Sequence, residues 1–214
     1  MKMRRPVCGL GLGLGAAMLF ARSSAADTPE AGDAWVGADL HVGYVTGRYH
    51  FEGPYAPGFG KTGIVALDAP ISGPFGGVSF VLGVAPGARW ALGGQMSFDY
   101  LGVSNHGNLG SSVGGGLREA LMLAAGYWPE PGLELSASVG LMRAGFFGGQ
   151  DDVAAADSIG FPEPVLGPAG NLAAVWAPQG FGGTLRLGYA RLQGDQSASW
   201  SPLDVSVGVI ITTP

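Results

Sequence analysis

Residues 89–103, RWALGGQMSFDYLGV, constrain this chain more than any other stretch. Trp90, Leu92, Met96, Phe98 and Tyr100 share one phase of a two-residue period. Ala91, Gly93, Gln95, Ser97 and Asp99, all small or polar, share the other. Side chains alternate faces along a strand, so the segment has one apolar face and one polar face. A soluble sheet would hide the apolar face in a core. A membrane barrel would turn it outward.

Seven companions repeat the pattern. They are residues 35–47, 77–85, 113–128, 133–145, 170–176, 184–192 and 203–212. Segment 113–128 contains strong helix formers in LREALMLAA, but the glycine-rich and proline-rich flanks favour a strand. The links sort by length. PGA (86–88), PEPG (129–132) and APQGFGG (177–183) are short, and they alternate with longer links at 48–77, 104–112, 146–169 and 193–202. Up-and-down membrane barrels sort their connections in this way, with short turns on one side and long loops on the other. From Trp90 to Tyr100 the apolar face runs ten residues. At ~3.3 Å per residue and a tilt near 40° that is about 25 Å, the height of a barrel's apolar band. Aromatic residues mark both ends, and Trp90, Trp128, Trp176, Tyr100 and Tyr189 are expected to form interfacial girdles.

Composition agrees. Only 13% of residues are charged, against about 25% in an ordinary soluble protein, and 40 of the 214 residues are glycine. The N-terminus reads as a secretory signal: Met-Lys-Met-Arg-Arg, an apolar run from Val7 to Ala21, and small residues before a cut after Ala26. Beyond it no apolar run approaches the ~20 residues a membrane helix requires. Cys8, the single cysteine, lies inside that signal, so residues 27–214 hold no disulfide or thiolate metal site. That remainder suits one domain. A net charge of −5 and the absence of a basic patch argue against nucleic acid.

The architecture resembles the small eight-stranded outer-membrane barrels of Gram-negative bacteria, the OmpA-transmembrane-like and OmpW-like class. The resemblance covers roughly residues 35–212 and rests on the strand and loop pattern, so it names a class without selecting a member. It implies an all-β, antiparallel, up-and-down transmembrane barrel in the outer membrane, a monomer without cofactor, in contact with outer-membrane lipid and lipopolysaccharide. It also implies delivery to the outer-membrane assembly machinery, which reads an aromatic at the end of the last strand. Ser206, Gly208 and Ile211 match part of that signal, and Pro214 replaces the aromatic.

By parity the lumen receives Asp39, His41, Gln95, Asp99, Arg118, Glu134, Arg186 and Asp204. An eight-stranded barrel is just wide enough for side chains to fill, and charges inside it must pair. The expected arrangement is a plug of ion pairs, with Arg118 on the next strand the first candidate partner of Asp99. A gated polar path is the competing reading, and inward glycines such as Gly43, Gly93 and Gly188 leave room for it. Three charges fall on the lipid side near the outer strand ends: Glu119, Arg143 and Arg191. Arg143 and Arg191 are expected to meet lipopolysaccharide phosphates.

Other motifs carry less. YAPGFGKTGIVALD (55–68) imitates a phosphate loop but has Tyr55 where that motif needs glycine. Asp151, Asp152 and Asp157 lack EF-hand spacing. His41, His50 and His106 are scattered, so no metal site is expected. Barrel deacylases of lipid A use a His-x-Ser pair. Here Ser104 and His106 come in the opposite order, so no catalysis is expected. The reading is a non-catalytic outer-membrane barrel with a structural or surface-contact role. A narrow OmpW-like conduit for small or apolar solutes, and a soluble periplasmic lipocalin-like binder, are the alternatives.

Overall fold

The computed structural model describes residues 28–54, 64–107, 110–148, 164–194 and 198–213. The expected signal segment 1–26, the aspartates at 151–157 and Pro214 lie outside them. The strands are β1 (Ala34–Pro54), β2 (Ile64–Gly87), β3 (Trp90–Gly107), β4 (Gly110–Glu130), β5 (Leu133–Gly148), β6 (Val165–Trp176), β7 (Phe181–Ala190), β8 (Leu192–Gln193) and β9 (Ser199–Thr213). From β1 to β7 each strand pairs antiparallel with the next, β7 and β8 both pair with β9, and β1 closes on β9.

β7 and β8 are one stave. Ala190 opposite Ala169 and Gln193 opposite Leu166 lie in one register, as do Tyr189 opposite Leu203 and Leu192 opposite Trp200. The ladder breaks only at Arg191, which faces Pro168, a residue with no N–H to give. The result is a closed, all-antiparallel barrel of eight staves.

The register sets its shape. Paired residues run from Val36 through Leu82, Gly94, Leu123, Val139, Gly170, Tyr189 and Leu203, and return to β1 at Thr46. That is a stagger of ten residues per circuit. Ten rises of ~3.3 Å against eight strand spacings of ~4.8 Å tilt the strands by about 40°.

Several strands run further than the alternation indicated, chiefly at the long-loop end. Residues 48–54 and 64–76, expected in a loop, are paired strand from Arg48 opposite Pro70 to Pro54 opposite Ile64. Their prolines and glycines mask the alternation, yet the two arms form a hairpin in which β1 supplies the partner groups.

The short turns share one device. Arg89, Gly132 and Gly180 have φ of 67°, 78° and 72°, the left-handed value that lets a tight turn rejoin the ladder. In two of the turns a register shift precedes that residue, between Val84 and Gly87 and between Tyr127 and Glu130. Near the first, the Arg89 N–H donates to the Pro29 carbonyl at 3.2 Å. This ties the segment before β1 under the barrel.

Candidate functional site: the barrel interior

Alternation resolves as expected on the outer face. Leu40, Val42, Leu82, Leu92, Leu121, Val139 and Val207 stand exposed around the wall. Trp90, Trp176 and Phe181 mark the short-turn end of this band, and Tyr44, Tyr100 and Tyr189 mark the other. Trp90 packs on Tyr127 with ring centroids 4.7 Å apart.

Trp128 is a correction to the expected girdle. It is 4% exposed, against 64% for Trp176, and it meets Trp35 edge-on inside the barrel at 6.0 Å. Its even position on β4 puts it on the same face as Arg118. Being a tryptophan near a strand end was a weaker guide than phase.

Three layers fill the interior. At the short-turn end Trp35, Trp128, Ala91 and Ala124 form an apolar floor. At the long-loop end Val45, Tyr49, Ile71, Phe75, Leu101, Leu192 and Trp200 belong to a larger apolar cluster. This upper layer is a second correction, because the inward face was expected to be small or polar along its length. Val45 has the parity of Asp39 and His41, so phase alone could have found it.

Between these layers lies the polar network. Arg118 joins two strands' carboxylates: its Nε donates to Asp99 Oδ2 at 2.7 Å and its Nη1 to Asp204 Oδ2 at 2.5 Å. Asp99 and Arg118 are register partners on β3 and β4, so the contact spans adjacent staves. The guanidinium also lies 4.6 Å above the Phe75 ring, a cation–π contact on the apolar layer. His41 lies between two carboxylates, with Nδ1 3.0 Å from Asp39 Oδ2 and Nε2 2.8 Å from Asp99 Oδ1. An imidazole serves two acceptors only when both nitrogens carry hydrogen, which is the cation. Arg186 Nη2 donates to Asp39 Oδ2 and to Ser79 Oγ, both at 2.9 Å. Thr184 Oγ1 donates to Asp39 Oδ1 at 3.1 Å. The network thus links β1, β2, β3, β4, β7 and β9 across the lumen.

The remaining expected lumen residues stand apart from it. Gln95 is half-buried and Glu134 buried, and both line a cavity of about 40 Å³ on the short-turn side of Arg186. Ser79, Asn171 and Trp35 line it too. Glu119, Arg143 and Arg191 stand exposed on the outer wall, with Glu119 and Arg143 opposite each other on β4 and β5. Among the described residues no group of three or more His, Cys, Asp or Glu has the geometry of a metal site.

No protein-family model matches this chain, and no curated protein does. Its fold is similar to solved outer-membrane barrels. The outer membrane protein OprG of Pseudomonas aeruginosa superposes with a TM-score of 0.53 at 15% identity, over 87% of this chain and 98% of that one. The attachment invasion locus protein Ail of Yersinia pestis gives 0.39 at 12% identity, over 84% and 99%. The likeness to OprG extends over nearly the whole of both chains and shows the shared barrel fold.

Proposed function

We propose that the chain is a non-catalytic outer-membrane barrel whose lumen is closed by its own side chains, and which acts by anchoring and by surface contact at its long-loop end. The observation that carries this is the Asp39–His41–Asp99–Arg118–Asp204 chain of contacts across the lumen, with Arg186 joining at Asp39. An ion path would have to break several of these desolvated contacts at once, and removing a single partner of a buried pair already costs about 3–5 kcal/mol. The outward apolar band supports membrane residence and argues against the lipocalin-like alternative, whose apolar face would line a cavity. The fold shared with OprG supports the outer membrane as its location, with the short turns toward the periplasm.

The partners that follow are outer-membrane lipid and, at Arg143 and Arg191, lipopolysaccharide phosphate. A second reading, a conduit for small apolar solutes, draws on the apolar lining of the upper interior, where Tyr49 Oη and Trp200 Nε1 are buried without partners.

Purified protein, extracted from the outer-membrane fraction and inserted into a planar bilayer, is expected to leave the membrane insulating. Steady ohmic steps from the unmodified protein would reject the closed lumen. Recovery of the folded protein in the soluble periplasm would reject the location. Accelerated entry of an apolar dye into proteoliposomes, with the bilayer still insulating, would favour the second reading.

A further inference from the structure

The ion network leaves one buried acid unanswered. Asp39, Asp99 and Asp204 each accept from a cationic side chain. Glu134 does not: its Oε2 is buried with no hydrogen-bond partner, and the residue is 4% exposed. The charges on buried side chains among the described residues are four carboxylates (Asp39, Asp99, Asp204 and Glu134) against Arg118, Arg186 and His41. With His41 as the cation and all four carboxyls ionised, one negative charge would remain over, at Glu134. An uncompensated buried carboxylate is among the costliest arrangements a protein interior can hold.

Glu134 does not face a packed wall. It lines the cavity of about 40 Å³, together with Gln95, Ser136, Ser138 and Asn171. The volume is enough for an ion with one or two waters, since a single water needs ~10–15 Å³ by the same measure. The cavity offers one further unsatisfied group. Trp35 Nε1 is buried beside the Glu134 carboxyl without a well-formed hydrogen bond, and its N–H can donate to that carboxyl or to a water beside the ion. Arg186 and Asp39 line the other side of the cavity, where Asp39 is already occupied by His41, Arg186 and Thr184.

We infer that this cavity binds a partly hydrated monovalent alkali cation, with Glu134 as its charged ligand and hydroxyl and amide oxygens completing the shell. The donors present are hard oxygens, which suit alkali and alkaline-earth ions and not thiophilic metals. A single free carboxylate matches one positive charge. A divalent ion would need a second, and Asp39 is spoken for. The cation neutralises the last buried charge and sits below the ion network, so the site stands whether or not the lumen conducts.

The test uses folded protein in detergent micelles or lipid vesicles. Thallium(I), a heavy stand-in for potassium, is expected to give an anomalous scattering peak at the Glu134 carboxylate in crystals of the unmodified protein. In solution, potassium chloride is expected to stabilise the fold relative to N-methylglucamine chloride at equal ionic strength. The shift in the unfolding equilibrium should be roughly tenfold once the ion reaches about ten times its dissociation constant. Glu134→Gln should abolish both the peak and the ion dependence, while Glu134→Asp retains a weaker dependence. A cavity holding water only, with no thallium peak and equal stability in both salts, would overturn the inference. So would an infrared band of a protonated carboxylic acid that disappears in Glu134→Gln. The thallium experiment on the unmodified protein decides the matter even where a variant fails to fold.

Discussion

At the scale of single residues, burial determines what a charge contributes. Arg118 is buried and holds Asp99 and Asp204, whereas Arg48 donates to Asp68 at 2.7 Å with 77% of its side chain exposed. Removing Arg118 strands two carboxylates in a desolvated lumen. Arg118→Met, which fills similar space, is expected to cost about 3–5 kcal/mol in urea unfolding from lipid vesicles. Arg48→Gln is expected to change stability by less than about 1 kcal/mol, because water screens an exposed pair. A cycle with Asp204→Asn should be strongly non-additive, since that carboxylate is costly only once Arg118 has gone. An Arg118→Met protein as stable as its parent would mean that the lumen is wet. The parity of the strands was enough to place Asp39, His41, Asp99, Arg118, Arg186 and Asp204 on the inward face. Which of them touch depends on register across the barrel, which no single strand reveals. His41 meeting Asp99, 58 positions away, needs both register and the direction of each side chain.

At the scale of elements, the short turns show how local backbone chemistry closes the barrel. Gly132 sits at φ 78°, and a Cβ there would lie 2.7 Å from Pro178 Cα in the neighbouring turn. Two turns are therefore packed against each other through an absent side chain. The Ala177 N–H reinforces the contact by donating to the Gly132 carbonyl at 2.8 Å. Gly132→Ala is expected to destabilise by about 1–2 kcal/mol from the left-handed backbone alone, with the clash adding to it. Arg89 occupies the equivalent position of the first turn at φ 67° with an ordinary side chain. Arg89→Gly should be near neutral, because relief of that strain is offset by the greater entropy loss of glycine. Unfolding of both variants under the same conditions tests the contrast, and an equal response would refute it. Turn positions were legible because proline and glycine punctuate them: Pro86-Gly87, Pro129 and Pro131-Gly132, Pro178 and Gly180. The upper halves of β1 and β2 were not, since Pro54, Pro70 and Pro74 break the period that a strand is recognised by. Their pairing is decided by the partner strand.

At the scale of the whole molecule, the tilt, the stagger and the two aromatic rims define an outer wall with a clear upper edge. Arg143 and Arg191 lie at that edge. Arg143 is opposite Leu166 on one side of β6, and the Arg191 N–H donates to the Pro168 carbonyl on the other side at 2.9 Å. Arg191 is two residues beyond Tyr189 along its stave, so it stands just past the aromatic rim. Two strand spacings of ~4.8 Å separate the arginines across the wall, a span that phosphorylated lipid headgroups can bridge. Charged side chains carry little penalty at this depth, where the cost falls toward ~0–1 kcal/mol. The two are not equivalent. Arg143 has Glu119 opposite it on β4, so part of its field is cancelled, while Arg191 has no acid as a register partner. Arg191→Gln is therefore expected to weaken capture by lipopolysaccharide-containing vesicles more than Arg143→Gln does. The double variant should fall furthest, and the difference should shrink as salt is raised. Phosphatidylcholine vesicles serve as the control, on which all four proteins should behave alike. Glu119→Gln supplies the converse, strengthening capture by freeing Arg143. Equal capture by the parent and the double variant at low salt would show that the upper rim takes no part in holding lipopolysaccharide.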